Sequence, residues 1–135
     1  MSKPKVVVLC GSSKFVTIMA VCAWLIERDE RAIAMGLHLL PEWYPNVPEH
    51  HLAEHEGVAM EMDTLHLRKI DLCDEIFVID FDNYVGPSTS NEIAYARKHG
   101  KPVRFLTAEG YHDKVCRMLV EHAEQRPQQK EAPQC

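Results

Sequence analysis

A hydroxyl-rich stretch ending at Glu92 carries the strongest chemical signal in the sequence. Residues 86–92 read Gly-Pro-Ser-Thr-Ser-Asn-Glu, and a helical pattern over 91–99 begins at the end of this stretch. Hydroxyls and free backbone N–H groups at a helix start can bind an anion. Glu92 is predicted in the first turn, where the helix dipole favours an ionised carboxylate that can attack an anomeric carbon. The spacing Thr89-x-x-Glu92 equally predicts a capping box, in which Glu92 only accepts the Thr89 N–H.

A second candidate anion site follows the first hydrophobic run. Gly11, Ser12, Ser13 and Lys14 come directly after Val6–Cys10 and before an apolar helical stretch. Glycine lets backbone approach a ligand closely, and the hydroxyls and helix N-terminus offer donors. The alternative is a serine that caps a buried helix.

Candidate acids and bases lie on two further segments. Asp63 and His66 share one face of a predicted helix, and histidine exchanges protons near neutral pH. Asp80 and Asp82 flank a strand end, where either carboxylate can bind a sugar hydroxyl or act as a general acid. A solvated helix face and ordinary turn formation are the alternatives. Tyr84, in the loop that follows, is a candidate substrate contact.

A metal site is not predicted. His51 and His55 are spaced i,i+4, with His50 and His66 elsewhere, but no third ligand has convincing spacing and no HExxH pattern occurs. We therefore expect neither a metal nor a cofactor.

Strands and helices alternate along the chain. Patterns of apolar residues predict strands over 5–10, 31–40, 75–80 and 101–106, and helices over 14–28, 51–73 (interrupted near Gly57), 91–99 and 111–123. This order predicts an α/β fold, a flavodoxin-like or Rossmann-like three-layer arrangement around a mainly parallel sheet of four to five strands. Residues 1–124 are expected to form one domain, and 125–135 a disordered tail.

The predicted topology brings three loops together. In open α/β sheets, ligands bind beyond the carboxyl ends of the strands at the point where strand order reverses. Loops 11–14, 41–48 and 81–90 all follow strands, so we expect them at this edge. Trp43 and Tyr44 in the proline-rich loop 41–48 can stack on a base or pin that loop to the core.

Composition narrows the class of protein. The net charge of −5 argues against wide contact with a nucleic acid polymer. The longest apolar stretch is too short to span a bilayer, and no signal peptide pattern precedes the first strand. Five cysteines without a CxxC pair favour reduced thiols. We expect a cytoplasmic protein with no membrane partner.

Three stretches together resemble one known family. VVVLCGSSKF, HLRKIDLCDEIFVID and YVGPSTSNEIAYARKHGKPV are similar in order and spacing to the nucleoside 2-deoxyribosyltransferase-like superfamily, especially its small bacterial and phage branch. The resemblance covers about residues 5–106. It implies a flavodoxin-like fold and a covalent ribosyl intermediate on a glutamate, which matches Glu92. It also implies that Gly11, Ser12 and Phe15 line the base or sugar.

Two departures from the family pattern refine the expected substrate. Where the transferases carry an aspartate that acts on the base, this chain has His66. Where they carry acids for the sugar 5′-hydroxyl, it has Gly86, Ser88 and Ser90. Hydroxyls in place of acids suit a 5′-phosphate, as in the nucleoside 5′-monophosphate N-glycosidases of this superfamily, because charge repulsion is removed.

The function expected from the sequence is cleavage or transfer of the N-glycosidic bond of a (deoxy)nucleoside or its 5′-monophosphate. Glu92, Asp80 and His66 are the expected catalytic residues, and the protein is expected to be a homodimer or larger homo-oligomer. The alternative is a non-catalytic nucleotide-binding or sensing domain. A phosphoribohydrolase of the cytokinin-activating type is a third reading, but stretch 86–92 lacks the paired glycines of its PGGxGTxxE pattern.

Overall fold

The fold is α/β, with a four-stranded all-parallel sheet between two layers of helices, as predicted. The computed structural model describes residues 2–38, 40, 43–44 and 52–125. The elements are β1 (Val6–Cys10), α1 (Val16–Glu30), β2 (Ile33–Met35), α2 (Leu52–His55), α3 (Ala59–Leu72), β3 (Glu75–Val78), α4 (Pro87–Lys98), β4 (Val103–Phe105) and α5 (Gly110–Gln125). The strand order is β2-β1-β3-β4.

The two central strands are buried on both faces, which explains their continuous apolar sequences. Val7 and Leu9 of β1 belong to the core under α1 and α5. Val8 and Cys10 point to the opposite face and pack with residues of α3 and α4. Because side chains alternate along a strand, Cys10 is directed to the layer that holds Glu92.

Gly11 is required by packing as well as by any ligand. A Cβ at this position would lie 2.9 Å from the Cβ of Ile79, closer than real Cβ atoms approach. The ends of β1 and β3 can therefore come together only with glycine at the start of the loop.

Several predicted limits differ from the observed ones. The strand predicted over 31–40 is only Ile33–Met35, because β2 is an edge strand that pairs with three residues of β1. Helix α4 begins at Pro87 rather than Asn91, since proline fits the first helical position, where its missing N–H costs nothing. The interruption predicted near Gly57 is confirmed between α2 and α3.

The predicted tail over 125–135 overlaps the last helix by one residue. Gln125 is the final residue of α5, and residues 126–135 lie outside the described part of the chain. Cys10, Cys22 and Cys73 are buried free thiols, whereas Cys116 is disulfide-bonded, contrary to the expectation of reduced thiols throughout. Within the described residues, each helix is too short or too polar to cross a membrane.

Candidate functional site

A cleft of about 540 Å³ opens at the carboxyl edge of the sheet. Strand order reverses between β1 and β3, which is where open α/β sheets bind ligands. The loop after β1, the segment containing α2 and α3, and the N-terminus of α4 form its walls. Seven of the residues predicted to act or bind line it: Gly11, Ser12, His66, Tyr84, Gly86, Ser88 and Glu92.

Glu92 lies in the cleft wall, but not where the local pattern placed it. Because α4 begins at Pro87, its first turn contains no acidic residue, and the N-cap is Gly86 without a side-chain hydrogen bond. Both the first-turn placement and the Thr89 capping box are therefore wrong. Thr89 is a buried helical residue, and Glu92 follows one turn later, only 8% exposed.

The environment of Glu92 favours its neutral form. Burial raises the pKa of Glu92 to about 7, and the negative charge of Asp63 adds to this rise. Hydrogen bonding from the Cys10 thiol opposes it. The helix dipole therefore does not keep Glu92 ionised as predicted. Instead, its carboxyl changes charge near neutral pH, as active-site groups often do.

His66 faces Glu92 from α3. Its Nε2 lies 3.9 Å from Oε1 of Glu92, and the residue is 3% exposed. Burial, together with the positive charge of Lys69, lowers the pKa of His66 to about 4, so the ring is neutral at pH 7. Neither ring nitrogen has a hydrogen-bond partner of ordinary geometry among the described residues, although a weak contact with the Leu9 backbone acts to raise the pKa. An unsatisfied buried polar group costs about 1–3 kcal/mol, which calls for a reason.

Cys10 completes this group and was missed by the sequence analysis. Its Sγ, a ring nitrogen of His66 and a carboxylate oxygen of Glu92 lie within 4.8 Å of one another. Burial and the neighbouring Glu92 carboxylate raise the pKa of the Cys10 thiol. The signal that points to Cys10 is its register: it ends β1 on the face that α3 and α4 cover.

The two predicted anion-binding segments both reach the cleft. Ser12 caps the short 3-10 turn that precedes α1, its Oγ accepting the Lys14 N–H at 3.3 Å. The predicted serine cap therefore exists, but on this turn and not on α1, whose N-cap Phe15 makes no side-chain hydrogen bond. The Ser12 hydroxyl can still donate its own proton. At α4, Gly86 gives no side-chain cap. Gly86, Pro87 and Ser88 line the cleft, so the first backbone N–H groups of this helix, which no side chain caps, lie next to it.

Tyr84 lines the cleft, with Phe15 packed behind it. Phe15 is buried in the core and contacts the Tyr84 ring edge to face, with the ring centroids 6.0 Å apart. Lys14 Nζ lies 3.4 Å from the centroid of the Tyr84 ring. Phe15 therefore positions Tyr84 and is not itself part of the cleft wall.

Asp80 and Ser90 are not brought to the cleft. The Asp80 carboxylate accepts the Thr107 N–H at 3.0 Å and the Thr107 hydroxyl at 2.6 Å, which ties the loop after β3 to the end of β4. Both of its oxygens are thus used within the protein. Ser90 is exposed on α4, and its side chain does not line the cleft.

The proline-rich loop contributes one described residue to the cleft. Tyr44 lines it and donates a hydrogen bond from its hydroxyl to Glu56 at 2.6 Å. Trp43 packs edge to face on Tyr44 and is 77% exposed. Of the histidines considered for a metal, His50 and His51 lie outside the described residues, and His55 is exposed on α2.

The fold and the cleft define an open parallel α/β protein with a carboxyl, an imidazole and a thiol buried together at its ligand-binding edge. Comparison of the chain with protein-family models, with curated proteins and with solved structures gives no match.

Proposed function

We propose that this chain cleaves or transfers the N-glycosidic bond of a (deoxy)nucleoside or its 5′-monophosphate, with Glu92 as the nucleophile. The proposal includes membership of the nucleoside 2-deoxyribosyltransferase-like superfamily. The observation that carries it is the position of Glu92: a buried carboxyl that titrates near neutral pH, in the wall of the cleft at the strand-order reversal. The cleft volume of about 540 Å³ falls within the range typical of small-molecule sites.

In the proposed reaction, a Glu92 carboxylate oxygen forms a bond to C1′ of the sugar while the bond from C1′ to the base nitrogen breaks. The base leaves with that electron pair and takes up a proton. Water or a second base then attacks C1′, which releases Glu92. A poorly hydrated carboxylate stabilises the positive charge that develops on the sugar more strongly than one in water does.

The α3 side of the cleft supplies groups for the base. Asp63 and His66 both line the cleft, one helical turn apart. Asp63 also acts electrostatically on Glu92. The Asp80 carboxylate is already hydrogen-bonded to Thr107 and is not available as a general acid. We therefore propose that Asp63 and the neutral imidazole of His66 interact with the leaving base.

The wild-type chain tests this function directly. Incubation with a panel of ribo- and deoxyribonucleosides and their 5′-monophosphates is expected to release free base, seen by chromatography, from at least one of them. Without a second base, the sugar is expected as the hydrolysis product. If no compound releases base but one raises the melting temperature, the non-catalytic nucleotide-binding alternative replaces this proposal. If none does either, both fail.

Ser88→Asp is expected to discriminate against phosphorylated substrates. Ser88 is at the second position of α4 and lines the cleft, where a carboxylate would repel a 5′-phosphate. An acidic residue is favourable in a first helical turn, so the fold should tolerate it. We expect KM for the monophosphate to rise at least about tenfold, with the nucleoside little affected. Ser90→Asp, exposed outside the cleft, is the matched control. Equal effects of Ser88→Asp on both substrates would refute the phosphate site.

Asp63→Asn is expected to change the pH dependence of base release. The nucleophile must be ionised, so kcat/KM should rise with pH to a plateau above the Glu92 pKa of about 7. Removing the negative charge of Asp63 lowers that pKa and should move the midpoint of the rise to lower pH. Asp82→Asn, exposed and outside the cleft, should leave it unchanged. If the midpoint does not move in Asp63→Asn, the rise of kcat/KM with pH does not report the ionisation of Glu92.

The proposal extends to assembly and location. We propose a homodimer or larger homo-oligomer in which Trp24 of α1, 62% exposed in the single chain, becomes buried. Light scattering in solution tests this assembly. We place the protein in the cytoplasm, where nucleoside monophosphates are made and consumed. Labelling of intact cells against lysates tests this placement.

A further inference from the structure

Three side chains with metal-ligating atoms converge beside the cleft, which His66 and Glu92 line and Cys10 does not. Cys10 ends β1, His66 lies on α3 and Glu92 on α4, and one ligand atom from each lies within 4.8 Å of the others. The pair His66 Nε2 and Glu92 Oε1 is 3.9 Å apart. All three residues are at least nine-tenths buried, with 0%, 3% and 8% exposure respectively.

The imidazole gives independent evidence for a ligand. Neither nitrogen of His66 has a hydrogen-bond partner of ordinary geometry among the described residues; the Leu9 backbone offers only a weak contact, and Nε2 lies 3.9 Å from Glu92. A buried histidine that serves only packing normally has a partner for its ring nitrogens. A lone pair left free beside a thiol and a carboxyl is what a metal ion requires.

We propose that Cys10, His66 and Glu92 form a binding site for a zinc-like divalent ion, with the fourth coordination position open to the cleft. Sulfur, imidazole nitrogen and carboxylate oxygen form a donor set typical of Zn²⁺, whereas Mg²⁺ and Ca²⁺ prefer oxygen alone. A thiolate and a carboxylate also bring two negative charges to a dication, so the occupied buried site is neutral overall.

The geometry requires only a small closure. In a tetrahedral zinc site the ligand atoms lie about 3.3–3.8 Å from one another, given bond lengths of about 2.0–2.3 Å. The 3.9 Å between His66 and Glu92 is already close to this range. Side-chain rotations that move the ligand atoms by roughly 1 Å bring the other two distances, from Cys10 to His66 and to Glu92, into the same range.

A bound metal would occupy the proposed nucleophile. Glu92 cannot ligate zinc and attack a sugar at the same time, so metal and nucleotide exclude each other, and zinc inhibits. This inhibition rests on the proposed function, but metal binding does not.

Cobalt titration of the full chain, under a thiol-free reductant, tests the site. Co²⁺ bound through a cysteine gives a thiolate-to-metal charge-transfer absorption, which histidine-only surface sites do not produce. We expect this band to saturate at one equivalent of Co²⁺ and to be displaced by Zn²⁺. Cys10→Ala is expected to abolish it. Cys22→Ala is the matched control, because Cys22 is also a fully buried free thiol but belongs to the core under α1.

His66→Gln provides a second variant in case Cys10→Ala does not fold. It should weaken Co²⁺ and Zn²⁺ binding at least tenfold while the far-ultraviolet circular dichroism stays that of wild type. Absence of the band in wild type, its persistence in Cys10→Ala, or unchanged affinity in His66→Gln would overturn the proposal. The charge-transfer band tests metal binding independently of activity, so it remains informative even if no substrate releases base. If base is released, Zn²⁺ should inhibit wild type and Cys22→Ala, and it should inhibit Cys10→Ala and His66→Gln less.

Discussion

Glu92→Gln is expected to reduce base release by at least about a thousandfold while making the folded protein more stable at pH 8. The loss of activity follows because an amide oxygen is a far weaker nucleophile than a carboxylate and bears no charge to stabilise the developing sugar cation. A residue that only supports the fold would show the opposite stability change, since its replacement destabilises.

The gain in stability follows from the burial of Glu92. Its pKa of about 7 in the folded state lies above the ordinary 4.5, so its favourable contribution is complete below pH 4.5 and is lost as pH rises through 7. Glutamine resembles the neutral carboxyl at every pH. The variant should therefore exceed wild type by on the order of 3 kcal/mol in unfolding free energy at pH 8, and by little at pH 4.

Urea denaturation at several pH values measures this difference, and His66→Gln is the control of opposite sign. The pKa of His66 is lowered from 6.5 to about 4 because the folded state buries the neutral ring. The contribution of His66 to the unfolding free energy is therefore complete above pH 6.5 and is lost as pH falls toward 4. Relative to wild type, His66→Gln should gain stability as pH falls, whereas Glu92→Gln gains it as pH rises. Parallel curves for both variants would mean that neither group is buried as described.

Arg104→Met is expected to destabilise the fold by about 3 kcal/mol without acting on the cleft. Arg104 of β4 forms ion pairs with Glu30, Glu75 and Glu109, at 2.8, 2.8 and 2.7 Å. These carboxylates belong to the end of α1, to β3 and to the residue before α5. Removing the cation leaves three negative charges facing one another in a partly buried site.

Thermal and urea denaturation of Arg104→Met against Lys5→Met provide the comparison. Among the described residues Lys5 forms an ion pair only with Glu75, at 2.9 Å, and its side chain is exposed, so its loss should cost less than about 1 kcal/mol. The cost of Arg104→Met should shrink at low pH, because Arg104 holds the pKa of Glu30 below 4.5 and this stabilisation is lost as Glu30 is protonated. Equal costs for the two variants would show that the network acts as ordinary surface pairs.

The sequence alone was sufficient for the layer arrangement and for the edge at which the cleft lies. Continuous apolar runs such as Val6–Cys10 report burial on both faces, and their alternation with helices leaves a parallel sheet as the solution. Gly11, Ser12 and Ser88 could be placed at the ligand edge for the same reason: each follows a strand, and parallel strands end together.

Tertiary structure decided the chemistry within that cleft. The local pattern at Glu92 predicted an ionised first-turn carboxylate or a cap, but the ionisation of Glu92 depends on burial against β1 and α3, which no short window of sequence contains. Asp80 looked available until Thr107 was brought to it. Cys10 and His66 are ordinary residues in their own segments. They become a site with Glu92 only because a strand and two helices, distant in sequence, pack on one face of the sheet.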